Sequence, residues 1–134
     1  MAGYLLDSHA FLWAKADPDQ IGAEALAEIA KGTNRVCVSV AGLWELAIKS
    51  AAGKLGPFSQ IMAVSPDALL EALRQSRFDL LSIGLQHALI AARLPPYHRD
   101  PFDRVMIAQA QQEDLTVVTR DSVFASYDVR VLRI

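Results

Sequence analysis

Short apolar runs alternate with helical patterns along the whole chain, and this alternation constrains the fold more than any other feature. The runs are rich in aliphatic and β-branched residues and predict strands at 4–6, 36–38, 78–83, 115–119 and 129–132. Strands that are separated by helices pair in parallel, with right-handed crossovers. The sequence therefore predicts an α/β fold, an open three-layer parallel sheet of about five strands with helices on both faces.

The helices between these strands are marked by their first residues. Asp-Pro or Ser-Pro pairs at 17–18, 65–66 and 100–101 supply an N-cap followed by proline at the first helical position. We predict helices at 8–16, 18–31, 40–52, 66–75, 84–93 and 101–113, and a short helical turn at 121–126. The pattern is ambiguous only over residues 55–64.

Length and composition exclude several classes of protein. A chain of 134 residues fits one domain, taken as 1–134, and its hydrophobic share of 52% excludes a disordered chain. The single cysteine, Cys37, excludes an intrachain disulfide and a four-cysteine zinc site, and it fits a reducing cytoplasm. We expect neither a signal peptide nor a membrane span, because the longest uncharged stretch, 80–92, is too short to cross a bilayer.

Acidic residues follow the predicted strands. Asp7 comes directly after the first strand, Asp121 comes just after the fourth, and Glu45 lies in the helix after the second. Asp103 lies in the first turn of the helix before the fourth strand. Ligands of open α/β sheets bind outside the carboxyl ends of the strands. Carboxylates gathered there repel one another unless they share a cation, and an all-oxygen ligand set favours Mg²⁺ or Mn²⁺ over zinc.

Each of these acids also has a purely structural interpretation. Asp7 and Asp121 can cap the short helices that follow them, and Asp100 before Pro101 is a strong N-cap candidate. An acid at position 103 would favour the helix dipole, and Glu45 can pair with a lysine one turn later. Spacing alone leaves the structural and the metal-binding interpretations equally open.

Four segments of the chain, in order, resemble the PIN-domain family, and within it the VapC-type toxins of bacterial toxin–antitoxin pairs. The segments are LLDSH at 5–9, SVAGLWEL at 39–46, LPPYHRDPFDRVMIAQA at 94–110 and VTRDSVF at 118–124. The third segment is the most specific, and the resemblance covers nearly the whole chain except for residues 55–64.

This resemblance implies a Mg²⁺- or Mn²⁺-dependent endoribonuclease that hydrolyses RNA phosphodiester bonds. The acidic positions of the family fall on Asp7, Glu45, Asp103 and Asp121. We expect Asp7 and Asp103 to bind the main ion. The other two acids would place a second ion or the attacking water.

Further residues near these acids have supporting roles in the same hypothesis. Ser8 would hold a water or a phosphate oxygen, and Asp100 is a possible helper that we assign mainly to capping. Candidate RNA contacts are Arg99, Arg104, Arg120 and His98. For the three arginines, charge balance of the carboxylates is an equally good interpretation.

The resemblance also implies partners: an RNA substrate, a small antitoxin protein and a second copy of the chain in a homodimer, all in the cytoplasm. An unusually large set of apolar residues could be core or could lie under the antitoxin. These residues are Phe11, Leu12, Trp13, Phe58, Ile61 and Met62.

Two other functions remain as alternatives. One is a housekeeping PIN-type nuclease that processes RNA, and a small neighbouring gene would favour the toxin over it. The other is a non-catalytic α/β binding module such as a receiver domain. A receiver needs an acidic pair after its first strand and an aspartate after a central strand, whereas this chain has Asp7 alone and Ser39. The binding module is therefore disfavoured.

Overall fold

The computed structural model describes residues 2–134 and contains a single parallel sheet across that range. Its five strands are β1 (Gly3–Leu6), β2 (Arg35–Ser39), β3 (Phe78–Leu81), β4 (Thr116–Thr119) and β5 (Val131–Arg133). Their order is β3-β2-β1-β4-β5, and every neighbouring pair is parallel. The predicted fold class is confirmed. Strand order reverses between β1 and β4, which is where ligands of such sheets bind.

Seven helices connect the strands within residues 2–134. They are α1 (Ser8–Ala16), α2 (Ala23–Ala30), α3 (Val40–Ala51), α4 (Ser59–Met62), α5 (Pro66–Gln75), α6 (Leu85–Arg93) and α7 (Pro101–Glu113). Short 3-10 turns occur at Pro18–Gln20, Gly56–Phe58 and Ser122–Ser126. No helix in the described range is long and apolar enough to cross a membrane.

The side chains of the central strands alternate between two cores, one on each face of the sheet. Leu6 packs with Phe11 and Leu12 of α1, whereas its neighbour Leu5 packs with Met106 of α7. This alternation is the period-two geometry of a strand that is buried on both faces. The edge strand β3 differs from this pattern, because Leu80 in it is 39% exposed.

The second predicted helix is wrong in one respect. The segment predicted as one helix from 18 to 31 is a 3-10 turn at Pro18–Gln20 followed by the separate helix α2. Gly22 lies between them with a φ of +88°, which a residue inside a right-handed helix does not adopt. The third strand also ends earlier than predicted, at Leu81, and the last strand begins later, at Val131.

The apolar residues offered as an antitoxin surface belong mostly to the core. Phe11 and Leu12 are each 1% exposed, and Phe58, Ile61 and Met62 pack against the same cluster. Exposed apolar surface also lies in a groove between α3 and α5, here called the apolar groove, to which Met62 contributes as well. The floor of the groove is formed by the buried Leu43 and Leu73. Its other lining residues are Val40, Trp44, Ala47, Val64, Pro66, Leu69, Leu70 and Leu80.

A pair of leucine substitutions tests this assignment. Leu12→Ala should lower the free energy of unfolding by about 2–5 kcal/mol, because it leaves a cavity in a packed core. Leu70→Ala, at a position that is 45% exposed in the apolar groove, should change it by less than about 0.5 kcal/mol. Urea unfolding of both variants measures the difference. Equal changes in the free energy of unfolding would contradict the assignment of Leu12 to the core.

Candidate active site

The carboxyl edge of the sheet carries an open cleft of about 480 Å³ between β1 and β4. Five carboxylates line it: Asp7, Glu45, Asp100, Asp103 and Asp121. The topology explains their meeting. Asp7 and Asp121 follow β1 and β4, α3 starts at the same edge because it follows β2, and α7 starts there because it leads into β4. The structure thus brings together all four acids that the sequence singled out.

Asp7 is fixed by the two neighbouring elements. Its Oδ1 accepts a hydrogen bond from the backbone N–H of Ala10 at 2.8 Å, as the N-cap of α1, and its Oδ2 accepts one from the hydroxyl of Thr119. The Thr119 oxygen also accepts from the backbone N–H of Asp121 at 3.0 Å. One threonine at the end of β4 therefore links two acids of the cleft. Sequence reasoning missed Thr119, because its role depends on β4 lying beside β1.

Glu45 is fixed through Ser8. The Ser8 hydroxyl donates to Glu45 Oε1 at 2.6 Å, and Lys49 lies 3.7 Å from Glu45 Oε2. The structure thus gives Ser8 a carboxylate partner, where the sequence suggested a water or a phosphate oxygen.

Asp100 and Asp103 lie side by side but make different contacts. Oδ1 of Asp100 accepts from the backbone N–H groups of Phe102 and Asp103, at 2.9 and 3.2 Å, and so caps α7. Oδ2 of Asp103 lies 3.2 Å from Nε2 of His98. The capping role expected for Asp100 is present in the structure, although its side chain also lines the cleft.

The cleft holds more negative charge than the protein compensates. Burial is the main cause that raises the pKa of Asp103, to about 8. Repulsion by the other four carboxylates, those of Asp100, Glu45, Asp7 and Asp121, acts in the same direction. Burial also raises the pKa of Asp7, against the lowering effect of its hydrogen bonds from Thr119 and Ala10. Charges arranged in this way favour a bound cation.

The residues present fit a hard divalent cation held partly by water. Every acidic ligand in the cleft offers oxygen only, which suits Mg²⁺ or Mn²⁺. Across residues 2–134, no three His, Cys, Asp or Glu side chains are already grouped closely enough to hold an ion together. Mg²⁺ in proteins usually keeps several waters and takes only one or two carboxylates, so this spacing suits it better than a fully protein-liganded ion.

The four residues expected to contact RNA have different environments. Arg99 is exposed beside the cleft, next to Lys49 and Lys54. Arg120 is exposed at the opposite rim, where its guanidinium lies 4.1 Å from the centre of the Trp13 ring and donates to Gln20. These two arginines remain candidates for phosphate contact.

Arg104 and His98 have protein partners instead. The guanidinium of Arg104 donates to four backbone carbonyls and to the hydroxyl of Tyr127. His98 has Tyr127 at one ring nitrogen and Asp103 at the other. In this structure the polar groups of Arg104 and His98 are therefore bonded to the protein. Sequence could not show this, since Tyr127 is 29 residues from His98.

Comparison with known proteins agrees with this geometry. A family model of the PIN domain matches residues 4–130. The chain belongs to the PIN domain family. PIN domains are nucleases, enzymes that hydrolyse nucleic acids. The resemblance noted in the sequence is confirmed. No curated protein matches the sequence.

Solved structures of PIN domains share the whole fold at low sequence identity. VapBC2 from Rickettsia felis, bound to a DNA fragment from its promoter, superposes with a TM-score of 0.70 at 17% identity, covering 98% of each chain. VapBC-5 from Mycobacterium tuberculosis, a toxin–antitoxin system, gives 0.60 at 23% identity over 100% of each chain. The PIN domain endonuclease Utp24 gives 0.54 at 16% identity, covering 98% of this chain and 84% of its own.

The raised pKa of Asp103 predicts how stability depends on pH in the absence of metal. The folded protein keeps a proton on Asp103 up to about pH 8, whereas the unfolded chain releases it near its ordinary pKa of 3.8. Between these values the native state binds more protons, so the free energy of unfolding should fall as pH rises. Asp103→Asn should lack this contribution to the slope of the free energy of unfolding against pH.

Urea unfolding from pH 4 to 8 in EDTA measures the effect. Asp128→Asn is the matched control, because it removes an exposed aspartate outside the cleft and should keep the wild-type slope. Identical slopes for the wild type and Asp103→Asn would show that Asp103 titrates as an ordinary aspartate.

Proposed function

We propose that this PIN domain is a Mg²⁺- or Mn²⁺-dependent endoribonuclease and the toxin of a toxin–antitoxin pair. The observation that carries the proposal is the cleft at the switch point of the sheet. There, five carboxylates lie so close that their charges help to raise the pKa of Asp103 to about 8. A divalent ion bound at this position would explain why acidic side chains are gathered there, because it offsets their mutual repulsion.

Each side chain then has a role that its contacts support. A divalent ion in the cleft would screen repulsion between the carboxylates and the phosphodiester, polarise the phosphoryl group and lower the pKa of bound water. Asp7 and Asp103 would hold the main ion, and Glu45 and Asp121 would place a second ion or the attacking water. Ser8 keeps Glu45 in position by donating to Oε1.

Cations beside the cleft suit an RNA strand; Lys54, Arg99 and Arg120 are exposed, and Lys49 is half-buried beside Glu45. Lys49, Lys54 and Arg99 line one neighbouring groove, and Arg120 lies at the other rim. We propose that they bind backbone phosphates on the two sides of the cut, since arginine matches phosphate geometry and lysine adds a point charge. The formal net charge of −2 makes this local clustering, rather than overall charge, the source of RNA affinity.

The toxin assignment, rather than a housekeeping nuclease, rests on the structural neighbours. VapBC2 superposes with a TM-score of 0.70, against 0.54 for the endonuclease Utp24. The partners of the hypothesis follow from this assignment: a small antitoxin and a second copy of the chain, acting on RNA in the cytoplasm.

Two apolar surfaces suit these two partners. The apolar groove includes Trp44, which is 58% exposed, and Leu70. On α6, Leu85 and Leu89 are 75% and 42% exposed and lie one turn apart on one face of the helix. We propose that an apolar antitoxin segment lies in the groove and that the α6 face packs against the second copy.

Nuclease activity is tested with single-stranded RNA and purified protein. Cleavage should require Mg²⁺ or Mn²⁺ and stop in EDTA. Asp7→Asn should abolish cleavage at any ion concentration because it removes a ligand charge, yet its amide oxygen can still cap α1, so the melting temperature should not fall. The Asp7→Asn variant, purified by the same procedure, also controls for contaminating nucleases. Full activity in EDTA, or in Asp7→Asn, contradicts the proposed mechanism.

The partner surfaces are tested by crossed substitutions. Leu70→Glu should weaken inhibition by the proposed antitoxin and leave the chain dimeric. The double variant Leu85→Glu/Leu89→Glu should give a monomer that the antitoxin still inhibits. Sedimentation measures the mass, and RNA cleavage measures the inhibition. A monomeric Leu70→Glu, or a dimeric double variant, would contradict the assignment of the two surfaces.

A further inference from the structure

A chain of hydrogen bonds runs from the loop before α7 into the acidic cleft. Arg104 anchors it, because its two terminal nitrogens donate to the backbone carbonyls of Ala91, Leu94, Pro95 and His98, at 2.9 to 3.2 Å. Nη1 also donates to the hydroxyl of Tyr127 at 3.2 Å. These bonds hold the loop and the tyrosine in one fixed arrangement.

The hydroxyl of Tyr127 determines which nitrogen of His98 carries the hydrogen. It accepts from Arg104 and also from the backbone N–H of His98, at 3.3 Å. A guanidinium and a backbone N–H can only donate, so the Tyr127 oxygen is the acceptor in both contacts. Its own hydrogen is then left for Nδ1 of His98, which lies 2.8 Å away. This arrangement favours the tautomer of His98 in which Nδ1 accepts and Nε2 carries the hydrogen.

That hydrogen points at Asp103. Nε2 of His98 lies 3.2 Å from Oδ2 of Asp103, and both side chains are more than four-fifths buried. Within residues 2–134, it is the only hydrogen-bond donor to this carboxylate, and Oδ1 has none. Asp7, in contrast, accepts from both Ala10 and Thr119. Among the described residues, the hydrogen bond with His98 is therefore the one that can fix the orientation of the Asp103 carboxylate.

We propose that His98 is a positioning residue, which Tyr127 and Arg104 orient so that its Nε2–H fixes Oδ2 of Asp103 and leaves Oδ1 free for a divalent cation. This inference rests on the proposed function, since it concerns the ion that Asp103 would bind. Hydrogen bonds to ligating carboxylates commonly change metal affinity by about 10–100-fold. His98 acts through Asp103 and needs no contact with RNA.

The test measures Mn²⁺ binding directly, by calorimetry on the full chain without RNA. Tyr127→Phe keeps His98 and Asp103 but removes the hydroxyl that sets the tautomer, and it should raise the Kd for Mn²⁺ about tenfold or more. Tyr97→Phe is the matched control. It removes a tyrosine hydroxyl from a ring that packs on Tyr127 and is 57% exposed, and it should bind Mn²⁺ as the wild type does.

Two substitutions of His98 separate a donor from a space-filling group. His98→Ala should weaken Mn²⁺ binding at least as much as Tyr127→Phe, and His98→Gln, whose amide can donate in place of Nε2–H, should recover part of the affinity. RNA cleavage by Tyr127→Phe should return towards the wild-type rate at saturating Mn²⁺, which a general loss of structure would not allow. If His98→Ala does not fold, the Mn²⁺ affinity of Tyr127→Phe tests the role of His98 by itself.

The outcomes distinguish this inference from the proposed function. A wild-type chain that binds no Mn²⁺ refutes the metal-dependent mechanism itself. If the wild type binds Mn²⁺ and Tyr127→Phe binds it equally well, the mechanism stands and the role of His98 is refuted. An equal loss of affinity in Tyr97→Phe, or no recovery in His98→Gln, also refutes that role.

Discussion

Repulsion among carboxylates at one edge of the sheet is the constraint around which this molecule is arranged. A parallel sheet brings the residues after its strands to the same edge, and here these residues, with those on α3 and α7, are acidic. Three of these acids each have a side-chain hydrogen-bond partner: Thr119 for Asp7, Ser8 for Glu45 and, in the proposed tautomer, His98 for Asp103. The donors fix the carboxylates in place without removing their charge, which leaves the cleft suited to a cation.

Much of the fold follows from local signals in the sequence. The predicted bounds of α1, α5 and α7 agree with the structure to the residue, because each begins after a capping side chain and the last two carry proline at the first position. The central strands were predictable because they are apolar on both faces. The break at Gly22 was not, since a glycine within an apolar helical pattern is compatible with a helix until its φ is known.

The acids of the site could be predicted from the sequence, whereas their hydrogen-bond partners could not. Asp7 and Asp121 follow strands directly, so their position at the sheet edge depends only on the fold class. The contacts of Arg104 and His98 depend on how the loop before α7 meets Tyr127, far away in the chain. An arginine beside an aspartate looks the same in a sequence whether it binds phosphate or backbone carbonyls. Only the packed structure separates these two roles.

The anchoring of residues 91–98 by Arg104 has a consequence for the cost of ordering the group that contacts Asp103. A flexible segment would have to become ordered before His98 could hold Asp103 in one orientation, and the lost conformational entropy would subtract from the affinity for a ligand of Asp103. Here four carbonyls of this segment, from the end of α6 to His98, are already engaged by one guanidinium, so that entropy is lost during folding. Asp103 is therefore preorganised before any ligand enters the cleft.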